Sequence, residues 1–387
     1  MKTFSLKLFF GNKKIAHKLL TRTIITTAQI RSKQIDERFL DNDPDSVIFQ
    51  EFGDKGLVTL NRPKYLNALS YSMMSKSLST LTQWELIKQV IVVKGAEENV
   101  FSAGGDIKER FFFMKKPDGR ELDRMYFSGC IRLLEKIGTY KKPYVSLISG
   151  IAMGGGAGVS VLVKYRVATE TTLFSTPETS IGLFPNSGCT YFLPRLEGKL
   201  GWYLGLTGHH LKGLDVKLAG IATHFVPASK LQALTDALLS PGNQNVEEIL
   251  KSFDEHDPAA EFSLAKYSKQ IDECFSGDTV EEIIYRLKVD GSEWAQSVIH
   301  TLQKISPTSL KVTLEALKRS INMISLTEYL EMESNLTENM IMLQKSPDFQ
   351  EGVRALLVDK NHKPIWNPRN LEDVTDQYID SLFTKAV

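Results

Sequence analysis

Cysteine is scarce. The 387 residues include three, Cys130, Cys189 and Cys274, with no CxxC spacing, which argues against a disulfide framework or a zinc site. Cytosol and mitochondrial matrix both suit such thiols. Excess charge is lacking too: a net charge of +1 gives no reason to expect a nucleic-acid partner. Long apolar runs are almost absent. Residues 145–163 carry no charge over 19 positions but contain five glycines, which disfavour a helix interior, so a strand, a turn and a buried helix are expected rather than a membrane span. "MGGGAGVS" fits neither GxGxxG nor a P-loop, and no GxSxG occurs, so dinucleotide, nucleotide and nucleophile-elbow chemistry have no support. The seven histidines include one adjacent pair, His209-His210, whose side chains a helix or strand would splay; no metal is expected.

What remains is an ordinary globular composition, 42% apolar and 24% charged, on a chain long enough for one large unit with an appendage. The first 33 residues are different, with eight Lys/Arg and no acid before Asp36. A basic, hydroxylated, acid-free segment of this kind reads as a mitochondrial transit segment over residues 1–35. From 45 to 228 strands and helices alternate. "VIFQEFGDKGLVTLNRP" predicts a hairpin turning at Gly53–Gly56, and residues 70–84 predict a helix capped by Ser70. "VIVVKG" predicts a strand, residues 96–110 a loop, 121–138 a helix, and "KPYVSLISG" a strand. Residues 151–156 then predict a turn, 156–164 a helix, and "YRVAT" and "TLFST" short strands. That rhythm implies an α/β fold with crossover connections. From 229 to 387 only helix patterns persist, one of them opened by Ser306-Pro307.

Three glycine clusters fall at strand ends: Gly104-Gly105, Gly150, and Gly154-Gly155-Gly156. Glycine lets main-chain N–H groups approach a ligand closely, and two such groups converging on one oxygen form an oxyanion hole; the same clusters also read as plain tight turns. Glu178, in "PETSIGLFPNSG", is the one charged residue between Glu170 and Arg195. It is either a surface turn acid or a buried carboxyl whose raised pKa poises it for proton transfer. Cys130 and Cys189 have no histidine nearby in sequence and read as small buried hydrophobes.

"LNRPKYLNALS", "FSAGGDIKER", "GIAMGGGAGVS" and "PETSIGLFP", in this order, resemble the crotonase (enoyl-CoA hydratase/isomerase) superfamily. "YFLPRLEGKLG", "GIATHFVP" and "DFQEGVRALLVDKNHKPIWNP" narrow the resemblance to its 3-hydroxyisobutyryl-CoA hydrolase branch, over roughly 45–370. The resemblance implies a crotonase-like spiral of ββα units with a helical C-terminal region. It implies hydrolysis of a 3-hydroxyacyl-CoA thioester in valine breakdown, in the mitochondrial matrix, with coenzyme A as part of the substrate and no cofactor. It assigns the main-chain N–H groups of Gly105 and Gly155 to the thioester oxygen and Glu178 to the reacting carbonyl, as base for water or as nucleophile. Coenzyme A is expected along residues 67–69 and 102–106, touching Ala68 and Ala103 through main-chain groups, with Asp106 beside it. Two acids are replaced: Asn186 stands where the family has aspartate, and Cys130 where it has glutamate. An amide can orient water or a substrate hydroxyl but cannot exchange a proton, so lowered activity, or acyl-CoA binding without turnover, is an alternative. Hydratase or isomerase chemistry is a third; Ala157 and Gly158 stand where hydratases carry a second glutamate. A homo-oligomer is allowed but not required by anything in the chain.

Overall fold

The computed structural model of the protein describes residues 44–113, 116–242, 245–256, 259–343 and 345–385, and the backbone of Thr23–Ile25. The transit-like segment, 1–35, lies outside the described residues apart from that short strand. β1 (Thr23–Ile25), β2 (Val47–Phe52) and β3 (Lys55–Leu60) run antiparallel, with the predicted hairpin turning at Gly53, φ +60°, and Asp54. α1 (Tyr71–Ile87) opens with Ser70 Oγ accepting the Met73 N–H.

A strand–strand–helix unit then repeats. β4 (Val90–Gly95) and β5 (Val100–Ser102) precede α2 (Ile107–Phe113) and α3 (Gly119–Gly138). β6 (Tyr144–Ile148) and β7 (Ile151–Met153) precede α4 (Gly155–Val161). β8 (Tyr165–Ala168) and β9 (Leu173–Ser175) precede α5 (Cys189–Phe192) and α6 (Leu200–Thr207). β10 (Leu211–Lys212), α7 (Leu214–Leu218) and β11 (His224–Phe225) complete the α/β part. The first strand of each unit enters a seven-stranded sheet, β1-β2-β3-β4-β6-β8-β11, and the second a four-stranded sheet, β10-β9-β7-β5. This alternation is the spiral of ββα units.

Two expectations are corrected here. Residues 96–110 are not all loop, since they hold β5 and the start of α2; residues 151–156 are not simply a turn, since β7 occupies Ile151–Met153. Both strands have three residues, shorter than the alternation by which a strand is read from sequence.

The central strands are apolar on both faces, as buried parallel strands are. Leu57, Val92, Val145 and Val167 face Leu234, Leu238 and Leu250 of α8 (Leu231–Leu239) and α9 (Val246–Phe253). Val58, Ile91, Val93 and Ile148 belong to the opposite cluster with residues of α1 and α3. After β11 the described residues contain helices and no further strand: α8 and α9 are followed by α10 (Ser268–Cys274), α11 (Val280–Asp290), α12 (Glu293–Leu302), α13 (Pro307–Ser320), α14 (Leu326–Thr337), α15 (Asp348–Val353) and α16 (Asp376–Phe383). α14 and α15 continue into π-helical turns, Glu338–Met342 and Arg354–Val358. These helices share the core with the α/β part: Leu183 and Phe184 cluster with Val312, Met340 and Phe349.

Candidate active site

Three neighbouring strands of the small sheet run parallel. Ser102 of β5 sits opposite Ala152 of β7, and Met153 of β7 opposite Ser175 of β9. Parallel pairing makes the chain leave all three at the same sheet edge, the carboxyl end where α/β proteins place their ligands. The three exits are 103–106, 154–155 and 176–178, so Gly105, Gly155 and Glu178 are brought together by the register alone.

Glycine suits this meeting point because a Cβ would crowd it. A Cβ on Gly104, at φ +105°, would lie 2.9 Å from Met153 O and 3.1 Å from Gly155 N. One on Gly155 would lie 3.2 Å from Gly105 N, and one on Gly154 would lie 3.1 Å from Glu178 Oε1. The Gly155 N–H is in the first turn of α4, where no intrahelical acceptor exists. Among the described residues, neither it nor the Gly105 N–H donates to a protein acceptor. Two free donors and one carboxyl thus face a cavity of about 270 Å³.

Glu178 opens a short 3-10 turn, Glu178–Ile181, and is 6% exposed. Among the described residues, neither carboxylate oxygen finds a partner outside Glu178 itself. Burial, with a smaller push from the Glu333 charge, raises its pKa from 4.5 to about 8, against a weaker pull from its own main-chain N–H. The segment that carries it is pinned from behind. A Cβ on Gly182, φ +75°, would lie 2.2 Å from Asp348 O, and one on Gly352 would lie 2.4 Å from Ile181 O. The backbone therefore packs directly on α15.

Asn186 and Ser187 line the same cavity, in a turn where Ser187 and Gly188 both have positive φ, +57° and +81°. The turn is held by a residue that sequence reasoning missed. Glu333 of α14, 2% exposed, accepts the Ser187 N–H at 2.7 Å, the Gly188 N–H at 2.9 Å and the Tyr329 hydroxyl at 2.6 Å. Burial raises its pKa, and its three donors oppose that shift. A signal for it was present. Tyr329 and Glu333 stand four residues apart on a helix face with buried Leu330 and Leu336, so an acid lies on an apolar stripe. The backbone donors it binds are 145 and 146 residues away, and no spacing rule reaches that far. A buried ion pair, Arg110–Asp123 at 2.6 Å, is a second omission; Arg110 also lines the cavity and lies over the Phe127 ring.

The remaining candidates divide. Ala103 and Cys130 line the cavity, and burial pushes the Cys130 thiol up to about 12, so it stays protonated and is not a nucleophile. Asp106 and Ala68 lie outside the cavity wall. The Asp106 carboxylate accepts the Glu109 N–H at 3.0 Å and Arg62 Nη1 at 3.0 Å, and the Ala68 carbonyl accepts Arg62 Nη1 at 2.7 Å. Both shape the 62–69 loop against the start of α2. At Gly158 a Cβ would lie 2.1 Å from Ser187 O, so this backbone leaves no room for a second acid there.

A profile of the enoyl-CoA hydratase/isomerase family matches residues 55–383. The chain is 48% identical over 340 residues to a Xenopus laevis protein named 3-hydroxyisobutyryl-CoA hydrolase, mitochondrial, with 86% of this chain and 87% of that one covered. It is 43% identical over 347 residues to a Homo sapiens protein of the same name, with 88% of each covered. Among solved structures, a carnitinyl-CoA dehydratase from Mycobacterium thermoresistibile superposes with a TM-score of 0.81 at 36% identity, covering 88% of this chain and 97% of that one.

Proposed function

The chain belongs to the enoyl-CoA hydratase/isomerase family, and from that premise we propose that it hydrolyses a 3-hydroxyacyl-CoA thioester, turning 3-hydroxyisobutyryl-CoA into 3-hydroxyisobutyrate and coenzyme A. The observation that carries this reading is the buried, partnerless Glu178 carboxyl facing the free N–H groups of Gly105 and Gly155. A thioester oxygen between those donors gains negative charge as its carbon becomes tetrahedral, and each fixed donor is worth about 3 kcal/mol of barrier. Glu178, once ionised, takes a proton from the attacking water or adds to the carbonyl carbon itself. In either case the C–S bond breaks, coenzyme A leaves as the thiol, and water supplies the new oxygen of the acid. Its pKa of about 8 sets the pH at which it becomes competent. The absence of space for a second acid beside Gly158 weighs against hydration.

Valine breakdown in the mitochondrial matrix is the proposed setting, supported by the location in the relatives' names and by the basic leader. No cofactor enters the scheme. One observation favours a second reading, a relative that binds acyl-CoA with little turnover: Asn186 lines the cavity, and its amide cannot act as an acid or a base. CoA release from 3-hydroxyisobutyryl-CoA separates the two. Turnover that Glu178→Ala abolishes supports the hydrolase. A parent that binds the thioester without turning it over, and gains turnover on Asn186→Asp, supports the second reading. Conversion of a 2-enoyl-CoA without CoA release would overturn both.

A further inference from the structure

We propose that Ser187, held by Glu333 and working with Asn186, reads the substrate's 3-hydroxyl group and so sets the preference for hydroxylated over plain acyl thioesters. This rests on the hydrolase reading above and names how that site chooses its acyl group.

The case begins with which polar groups in the cavity are free. The Tyr126 hydroxyl donates to Leu69 O at 2.7 Å and accepts the Asp106 N–H at 3.0 Å. Ser180 Oγ donates to Pro177 O at 2.7 Å, and Asp123 takes Nε and Nη2 of Arg110, whose remaining N–H groups can donate but not accept. Glu178 and the two glycine N–H groups face the reacting carbonyl. Much of the remaining wall is apolar, with Leu69, Met74, Phe127 and Leu183 among its residues. A substrate hydroxyl set against that part would lose its hydrogen bonds to water without replacement.

The turn at 186–187 is different. Ser187 Oγ makes two long bonds, donating to Asn186 Oδ1 at 3.3 Å and paired with the Cys130 thiol, a weak donor, at 3.9 Å. Even with the thiol donating to it, the hydroxyl keeps one lone pair free, while Asn186 Nδ2 donates to no acceptor among the described residues. Together they offer an acceptor and a donor, which is what a hydroxyl requires. Their position also fits. Ser187 Oγ is 3.5 Å from the place a Gly155 Cβ would take, beside the thioester oxygen's site, and the 3-hydroxyl is borne by the second carbon from the thioester carbon.

The backbone supports a functional origin. Ser187 is buried at φ +57°, a conformation that disfavours every side-chain-bearing residue, and it is kept there by the Glu333 carboxylate on its N–H. Glycine would relieve that strain. Glycine would also remove the hydroxyl.

The test compares kcat/KM for 3-hydroxyisobutyryl-CoA with that for isobutyryl-CoA, in the parent and in Ser187→Ala and Ser187→Gly. The parent prefers the hydroxylated thioester, and both variants lower that ratio by about 10- to 100-fold, the effect of leaving a buried hydroxyl without its partner. The glycine variant relieves the backbone, so it keeps the test open where alanine fails to fold. A ratio unchanged in a folded variant, including one in which both rates fall together, overturns the proposal. A parent that hydrolyses both thioesters equally overturns it while leaving the hydrolase reading intact. A parent silent on both overturns the hydrolase reading, and this proposal with it.

Discussion

Replacing Glu178 by glutamine abolishes CoA release and, from the same structural cause, makes the protein more stable in alkali. The parent carboxyl is buried without a partner, and its pKa rises from 4.5 to about 8, chiefly by burial. A group whose folded pKa exceeds its unfolded one binds its proton more tightly in the native state. Its contribution to stability is complete below the unfolded value and is lost as pH climbs through the folded one. Each unit of that difference corresponds to about 1.36 kcal/mol, so the loss across the window approaches a ceiling of roughly 5 kcal/mol. Glutamine does not titrate and presents a neutral amide where the native acid is neutral below about pH 8. Thermal unfolding of parent and variant at about pH 5 and about pH 9 reads the difference. The two midpoints lie close together in acid, and the variant unfolds several degrees higher in alkali. A variant less stable than the parent at the higher pH, or a gap that does not grow with pH, would mean that the Glu178 carboxylate has a compensating partner in solution.

Gly155→Ala leaves the backbone comfortable, since Gly155 is not at positive φ, but puts a methyl 3.2 Å from Gly105 N and 3.5 Å from Ser187 Oγ. The methyl crowds the place of the thioester oxygen, so kcat falls by about 10²- to 10³-fold with the circular dichroism spectrum unchanged; wild-type kcat in this variant would remove the oxyanion hole from the mechanism. Glu333→Gln exchanges two acceptor oxygens for one and leaves the Ser187 or Gly188 N–H unsatisfied, costing about 1–3 kcal/mol in denaturant unfolding. It also removes a charge that helps raise Glu178, so the rising limb of kcat/KM moves below its position near pH 8, and a limb that stays or moves up counts against the assigned coupling.

The sequence displayed the parts of the site that are local and hid those that are not. Strands with four or more apolar residues, such as Val90–Gly95, announce themselves, whereas β5 and β7 are three residues long and lie inside glycine-bearing segments. Yet those two strands do the positioning: their parallel register sets the Gly105 and Gly155 bends side by side. The glycines were legible as places of close approach, but what they approach was not, because Met153 O and the Glu178 carboxyl arrive from different exits. Isolation from other charges marked Glu178 as unusual, while its lack of any partner is a property of packing. Glu333, Arg110 and Ser187 gain their roles across the fold, and only Glu333 leaves a local trace, an acid on an apolar helix stripe.

An acid buried without a partner must be stabilised by other parts of the molecule, and the structure identifies which. The segment bearing Glu178 runs on into Leu183 and Phe184, which pack against Val312, Ala316, Leu336, Met340, Ile341 and Phe349 from the helical region. Fully burying one such side chain contributes about 1.5–3 kcal/mol, so two or three of these contacts match the penalty of holding Glu178 dry. The same helices supply the Glu333 carboxylate for the 187–188 turn, and the π-helical turn after α15 brings Leu356 and Leu357 to the cavity wall. A division of the chain near residue 228 describes where strands stop, but it does not divide the chemistry. The α/β part supplies the two donors and the acid; the helices keep that acid away from water and hold the turn that faces it. Neither half contains a working site without the other.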